Sequence, residues 1–152
     1  MKVENLKDII NWTRESHESL AKCMKRCANE NENSRARLLL SYLAEHEEKL
    51  STVLDEFNKS GNENALNTWC IEYLDKNPVI LHKDDDKPFA EMTADEIMGT
   101  ISRHHQIIIE LYKDLLRQAE IPEAKELFEQ LVSLEEHEVM RMAQAANRLG
   151  DL

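Results

Sequence analysis

Glycine and proline are scarce in this chain, with three of each among 152 residues. A protein built from short strands needs more turn residues than this, and the glycine-rich loop of a nucleotide site is missing. Because 41% of the residues are hydrophobic and 32% are charged, the composition favours long helices around a sizeable core. We therefore predict an all-α chain.

Long apolar runs, basic stripes and an even set of cysteines are missing as well. No run approaches the roughly 20 residues that cross a bilayer, and the first residues lack the apolar segment of a secretory signal. The net charge of −11 repels nucleic acid and anionic lipid, so we expect neither as a partner. Three cysteines agree with a reducing compartment, and we predict a cytoplasmic protein.

Apolar residues recur every three or four positions in four long stretches, as in amphipathic helices. The first helix is predicted for roughly residues 4–29, and the second begins at the capping residue Ser34 and ends near Gly61. The third begins at a capping box over residues 93–96, and the fourth runs from Pro122 to near Gly150.

These helices form two predicted hairpins, over residues 4–60 and 93–150, joined by a crossover over residues 61–92 with a short helix at about 65–74. Short inner loops and one long connection are typical of an antiparallel four-helix bundle. We predict a single domain over residues 1–152.

A carboxylate interrupts the apolar stripe of the second helix, and another interrupts that of the fourth. These are Glu47 and Glu138, and the strings that contain them align at an offset of 138 − 47 = 91. Because burying an isolated carboxylate costs several kcal/mol, each must be paired, protonated, hydrated or bound to a cation. Bundles that hold two metal ions use a Glu on two helices and Glu-x-x-His on the other two.

The stretch of residues 43–50, Leu-Ala-Glu-His-Glu-Glu-Lys-Leu, resembles the rubrerythrin branch of the ferritin-like superfamily. The resemblance covers both hairpins but not the crossover. It implies a ferritin-like fold and a dimetal centre for peroxide reduction, iron oxidation or related oxygen chemistry.

Carried onto this chain, the glutamates of the family motif fall on Glu47 and Glu138. The motif histidines fall on Leu50 and Arg141, neither of which binds iron. The carboxylates of the first and third helices fall near Arg14 and His105, of which His105 alone is a metal ligand.

Our leading interpretation is a degenerate, non-catalytic site without a cofactor. Arg14 and Arg141 then occupy the places of the cations and form structural ion pairs with Glu47 and Glu138, since a guanidinium suits a carboxylate bidentately.

The alternative is a relocated site in an oxidoreductase that acts on peroxide, oxygen or iron. His17 then joins Glu47, His105 and Glu138 as a set of nitrogen and oxygen ligands, which suits iron, manganese or zinc.

Aromatic residues suggest a partner. Trp12, Trp69, Tyr73 and Phe89 are more aromatic side chains than one small bundle must enclose, and we predict a homodimer.

Overall fold

The computed structural model describes residues 4–68, residue 70 and residues 88–150. Within these ranges four long helices form an all-α bundle, as the composition predicts. The elements are α1 (Leu6–Glu30), α2 (Ser34–Ser60), α3 (Glu63–Leu66), a 3-10 turn (Phe89–Glu91), α4 (Ala94–Gln118) and α5 (Pro122–Gly150). Among the helices described, none is both long and apolar enough to span a membrane.

The helix boundaries follow the local signals in the sequence, with one shift. The cap of α2 is Asn33 rather than Ser34, because the Asn33 side chain accepts the backbone N–H of Ala36 at 2.9 Å. Pro122 begins α5 as predicted. Of the short helix predicted over residues 65–74, the structure describes α3 and little more, and the remainder lies outside the described ranges.

Both α1 and α4 begin with a capping box. In α1 the side chain of Asn5 accepts the N–H of Asp8, and the Asp8 carboxylate accepts the N–H of Asn5. Thr93 and Glu96 make the same exchange at the start of α4. Each box satisfies two backbone donors that the first turn of a helix leaves unpaired.

The elements repeat at a fixed spacing. α4 starts and ends 88 residues after α1, since 94 − 6 and 118 − 30 are both 88, and α5 starts 88 residues after α2, since 122 − 34 is also 88. We call α1 with α2 the first helix pair and α4 with α5 the second. The members of each pair pack along one another, and α2 also contacts α4 and α5.

Two groups of buried apolar residues form the core. The first includes Ile10 and Leu54 and lies on the side of α3, and the second includes Met24 and Ile97 and lies on the side of the 3-10 turn. On α1, about two turns of helix around His17, between Trp12 and Leu20, separate the two groups. A short polar layer is therefore enclosed between two apolar ones.

Hydrogen bonds fix the described ends of the crossover to the bundle. The buried Asn31 donates through Nδ2 to the carbonyl oxygens of Phe89 and Met92, at 3.0 Å each. At the other end the N–H of Leu6 donates to the carbonyl of Thr68 at 2.9 Å.

The core accounts for part of the aromatic content from which we predicted a dimer. Phe89 is buried in the second apolar group, and Trp12 is half-buried against the first. Trp69 and Tyr73 lie outside the described residues.

Candidate metal centre

Four ionisable side chains, one from each long helix, meet inside the bundle. They are His17 of α1, Glu47 of α2, His105 of α4 and Glu135 of α5, and each has 0% of its surface exposed. We call them the quartet. Charged residues are almost never fully buried unless they are paired, so these four must be considered as one unit.

The quartet is a closed ring of hydrogen bonds. Nδ1 of His17 lies 2.5 Å from Glu47 and its Nε2 lies 2.8 Å from Glu135. Nδ1 of His105 lies 2.7 Å from Glu135 and its Nε2 lies 2.5 Å from Glu47. Each imidazole bridges both carboxylates, and each carboxylate uses one oxygen for each imidazole.

Opposite charges keep all four groups ionised. Burial lowers the pKa of His17, but the charges of Glu135 and Glu47 outweigh it and raise this pKa to about 10. Burial also lowers the pKa of His105, and the same two carboxylates raise it to about 9. Both rings are therefore imidazolium at neutral pH, and all four ring N–H groups donate to carboxylate oxygens.

The carboxyl groups respond in the opposite direction. Burial raises the pKa of Glu135, but the charge of His17 and the hydrogen bonds from both rings bring it to about 2. The same balance, with His17 and His105 as the positive partners, holds the pKa of Glu47 well below its usual range. With two positive and two negative charges, the quartet is neutral overall, which a low-dielectric interior tolerates.

Two polar side chains of α4 lie beside the quartet. Tyr112 is fully buried and its Oη donates to Oγ1 of Thr13 at 2.7 Å. The ring of His104 lies 5.7 Å from that of His17, and its buried Nε2 has no hydrogen-bond partner among the described residues. Burial lowers the pKa of His104 to about 4, and the positive charge of His17 contributes, so this third imidazole is neutral.

Glu138 does not join the quartet, although the sequence placed it there. It lies at the edge of the bundle, where Nδ1 of His46 is 3.2 Å from its carboxylate and Nη1 of Arg141 is 3.4 Å from it. Arg141 thus contacts the carboxylate with which we predicted it to pair, through one nitrogen and at the edge of the bundle. Because the Arg141 side chain is 68% exposed, this pair neutralises no fully buried charge.

The ion pair predicted between Arg14 and Glu47 is wrong. Arg14 contacts Glu18 at 3.1 Å and Glu15 at 3.6 Å, both on its own helix. The reason is the orientation of α1, which directs His17 rather than Arg14 toward Glu47. Imidazolium, and not guanidinium, supplies the positive charge.

The residue that sequence reasoning missed is Glu135. The predicted offset of 91 aligned the two Glu-His-Glu strings, whereas the quartet follows the structural offset of 88, since 105 − 17 and 135 − 47 are both 88. The helix caps carried the correct signal, because Thr93 follows Asn5 by 88 positions. His17, Glu47 and His105 were proposed together, and the structure brings them together.

The donor set of the quartet fits a transition-metal ion. His17, His105 and Glu135 each present a ligand atom within 4.8 Å of the others, and imidazole with carboxylate suits iron, manganese or zinc. Around an ion with bonds of about 2.1 Å, neighbouring ligand atoms lie about 3.4 Å apart. The four hydrogen-bonded nitrogen–oxygen pairs of the quartet are closer than that, so each pair that binds the same ion must separate by under about 1 Å.

The quartet is the feature of this molecule that points most directly to a function. It joins all four long helices, and its donors are those of a metal centre. Comparisons with models of protein families, with curated proteins and with solved structures found no match to this chain.

Proposed function

We propose that the protein is an antiparallel, ferritin-like bundle of the rubrerythrin type whose quartet binds one transition-metal ion, with iron, manganese or zinc as the candidates. The observation that carries this proposal is the meeting of two imidazoles and two carboxylates, one from each long helix, at a point without solvent exposure.

Charge balance supports the proposal. When the quartet is protonated, two imidazolium groups neutralise two carboxylates. A divalent ion that displaces one proton from each imidazole leaves the same total charge, with neutral rings and ionised carboxylates as ligands. The interior therefore accommodates the ion without an uncompensated charge, and we expect two protons to be released for each ion bound.

The positions around the quartet support one ion rather than two. Three residues after Glu47, where a two-metal bundle has histidine, this chain has Leu50, which is buried in the first apolar group. Three residues after Glu135 stands Glu138, which is already paired with His46. Two of the six ligands of a two-metal centre are therefore missing or engaged elsewhere.

The residues of the quartet would hold the ion, and bound iron or manganese would supply redox chemistry toward peroxide or oxygen. Tyr112 remains a phenol, because burial raises its pKa well above the usual value, and its hydroxyl donates a hydrogen bond to Thr13 beside the site. The apolar groups on both sides exclude water from the four donors.

Metal content tests the proposal. The protein is produced in cells supplemented in turn with iron, manganese and zinc, and the metal is quantified by elemental analysis. Protein stripped with a chelator is then titrated with cobalt(II), whose visible absorption reports its coordination. We expect one ion per chain, and Glu135→Gln to weaken cobalt binding by about 100-fold or more.

Glu138→Gln is the matched control, since it removes a carboxylate of the same helix outside the quartet, and it should bind cobalt as the parent chain does. Parent protein that retains no metal and gives no cobalt spectrum would contradict the proposal.

A second candidate is a non-catalytic bundle in which protons permanently replace the ion. The closed ring favours it, because each imidazolium already contacts one oxygen of each carboxylate, as a cation between two bridging carboxylates does. In that case all four ring nitrogens stay protonated at pH 8 in nitrogen-15 spectra, and added metal leaves the melting temperature unchanged.

A cytoplasmic homodimer remains our proposal for the state of the protein. The three cysteines are free, as expected in a reducing compartment, and Leu38 and Met140 expose more than half of their apolar surface. Light scattering over a range of concentrations tests the dimer, and a constant monomer mass would contradict it.

A further inference from the structure

Sulfur atoms are concentrated at one end of the bundle, away from the quartet. Cys27 is buried in the second apolar group together with Met24, Met92 and Met142, and Cys23 packs against the same group. Met98 does so as well, so four of the six methionines and two of the three cysteines of the chain share this region. We call it the sulfur cluster.

The two cysteines are spaced to hold one ion between them. Cys23 and Cys27 are four residues apart on α1, which places their Cβ atoms about 5–6 Å from each other. Two sulfurs on opposite sides of a metal ion, each at about 2.3 Å, lie about 4.6 Å apart. The thiols can therefore bind one ion without a change in the helix backbone.

Two neighbouring groups stabilise negative charge on the sulfur atoms of Cys23 and Cys27. Nη2 of the exposed Arg26 lies 3.9 Å from Sγ of Cys23, and the backbone N–H of Ala90 donates toward the sulfur of Cys27. Burial nevertheless raises the pKa of the Cys27 thiol, and the neighbouring Cys23 thiol raises it further. Without an ion the Cys27 thiol stays protonated, so a bound cation is what would displace its proton.

The available donors select a soft, singly charged ion. Among the described residues, three His, Cys, Asp or Glu ligands come together at His17, and no such group includes Cys23 or Cys27. The two cysteines therefore lack the further hard or borderline ligands that zinc needs. The same apolar group contains the thioethers of Met24, Met92 and Met142, and soft sulfur ligands suit copper(I). Two thiolates with one monovalent cation leave a single negative charge, which Arg26 is placed to balance.

We propose that Cys23 and Cys27 form a binding site for one soft monovalent metal ion of the copper(I) class, inside the sulfur cluster. The ion forms two metal–sulfur bonds as both S–H bonds break, two protons leave to solvent, and no group is oxidised or reduced. The ion enters from the side of Cys23, because Cys23 is half-buried whereas Cys27 is buried.

A competition titration tests the site. Reduced full-length protein is titrated anaerobically with copper(I) against a coloured copper(I) chelator, and thiolate-to-copper absorption is followed in the ultraviolet. We expect one equivalent to bind, and Cys23→Ser and Cys27→Ala each to weaken binding by about 100-fold. Cys70→Ala is the matched control, because Cys70 is also buried but lies in the first apolar group.

Glu138→Gln provides a second control, because Glu138 lies outside both the quartet and the sulfur cluster and its loss should leave copper(I) binding unchanged. Retention of tight binding by Cys23→Ser and Cys27→Ala, or an equal loss in Cys70→Ala or Glu138→Gln, would overturn the site. Circular dichroism checks that each variant folds. Should Cys27→Ala fail to fold, alkylation of the parent protein decides: copper(I) should protect Cys23 from iodoacetamide, and an unchanged rate of labelling refutes the proposal.

Discussion

The first helix pair and the second each contribute a histidine and, 30 residues later, a glutamate to the quartet. In both pairs Nδ1 of the histidine faces the glutamate of its own pair, and Nε2 faces the glutamate of the other pair. The two halves therefore supply equivalent groups in equivalent orientations. Each half contributes one positive and one negative charge, and each ring also bonds to the carboxylate of the other half, so the quartet couples the two pairs.

The positions around the quartet differ between the two pairs. At the offset of 88, Leu50 in the first pair corresponds to Glu138 in the second, and Met24 corresponds to Tyr112. At these two positions the first pair has apolar side chains, whereas the second has a buried hydroxyl and a half-buried carboxylate. The repeat specifies where the charges meet, and the two pairs differ in the side chains that stand at these positions.

The largest effect should come from removing one carboxylate of the quartet. Glu47→Gln and Glu135→Gln each leave two buried imidazolium groups with one anion, and we expect each to lower the free energy of unfolding by about 3–5 kcal/mol. Urea unfolding of chelator-treated protein measures both. If the two helix pairs are equivalent at the quartet, the two losses should be similar.

Glu138→Gln serves as the control for this experiment. Its carboxylate is half-buried and paired with the exposed Arg141, so the expected loss is below about 1 kcal/mol. A loss from Glu138→Gln that equals those in the quartet would show that burial and pairing do not set these energies.

The next effect is a dependence of stability on pH in the metal-free protein. Because folding raises the pKa of His17 and His105 from 6.5 to about 10 and 9, their contribution is complete below about pH 6.5 and is lost as the pH rises toward 9 and 10. Each imidazole contributes a slope of up to about 1.4 kcal/mol per pH unit, and we expect a loss of about 2–3 kcal/mol for each imidazole by pH 8.5.

Single histidine variants compare the contributions of the two helix pairs to this pH dependence. His17→Gln and His105→Gln should each remove about half of this slope in urea unfolding between pH 6 and 9. A metal-free protein whose stability does not change over that range would contradict the assignment of two imidazolium groups. The carboxylates do not interfere, because their lowered pKa values make their contribution disappear only under strongly acidic conditions.

Most of the architecture could be predicted because it depends on local signals. The capping box at Thr93, Pro122 at the start of α5 and the apolar periodicity of the long helices are readable within a few residues. His17 and Glu47 were found because each lies on an apolar stripe where a polar residue needs an explanation, and His105 was found through the family resemblance.

The identity of the fourth residue of the quartet depended on how far α5 is rotated about its axis, which local sequence signals do not fix. Neighbouring positions on a helix differ by about 100° around its axis, so Glu135 and Glu138 are both near the inner face until packing selects one. Arg14 was misplaced for the same reason. Its charge matched that of Glu47, but the rotation of α1 brings His17 inward instead.

A smaller effect tests the asymmetry around the quartet. Thr13→Val removes the acceptor of the buried Tyr112 hydroxyl, which should cost about 1–3 kcal/mol, whereas Tyr112→Phe removes the hydroxyl itself and should cost about 0.5–1.5 kcal/mol. The order is expected because Thr13 keeps its own bond to the carbonyl of Ile10 when Tyr112 is changed. Urea unfolding of the two variants and of the double variant measures the coupling, and equal losses would contradict it.

The smallest effect concerns the two capping boxes, where the helix pairs are most alike. Asn5→Ala and Thr93→Ala each leave a first-turn N–H without its side-chain acceptor, and each should lower the free energy of unfolding by about 1 kcal/mol. Ser34→Ala is the control, because Asn33 rather than Ser34 caps α2, so its effect should lie within about 0.5 kcal/mol of zero. A cost at Asn5 well below that at Thr93 would mean that α1 frays at its start while α4 does not, and the repeat would then hold for the quartet but not for the ends of the helices that carry it.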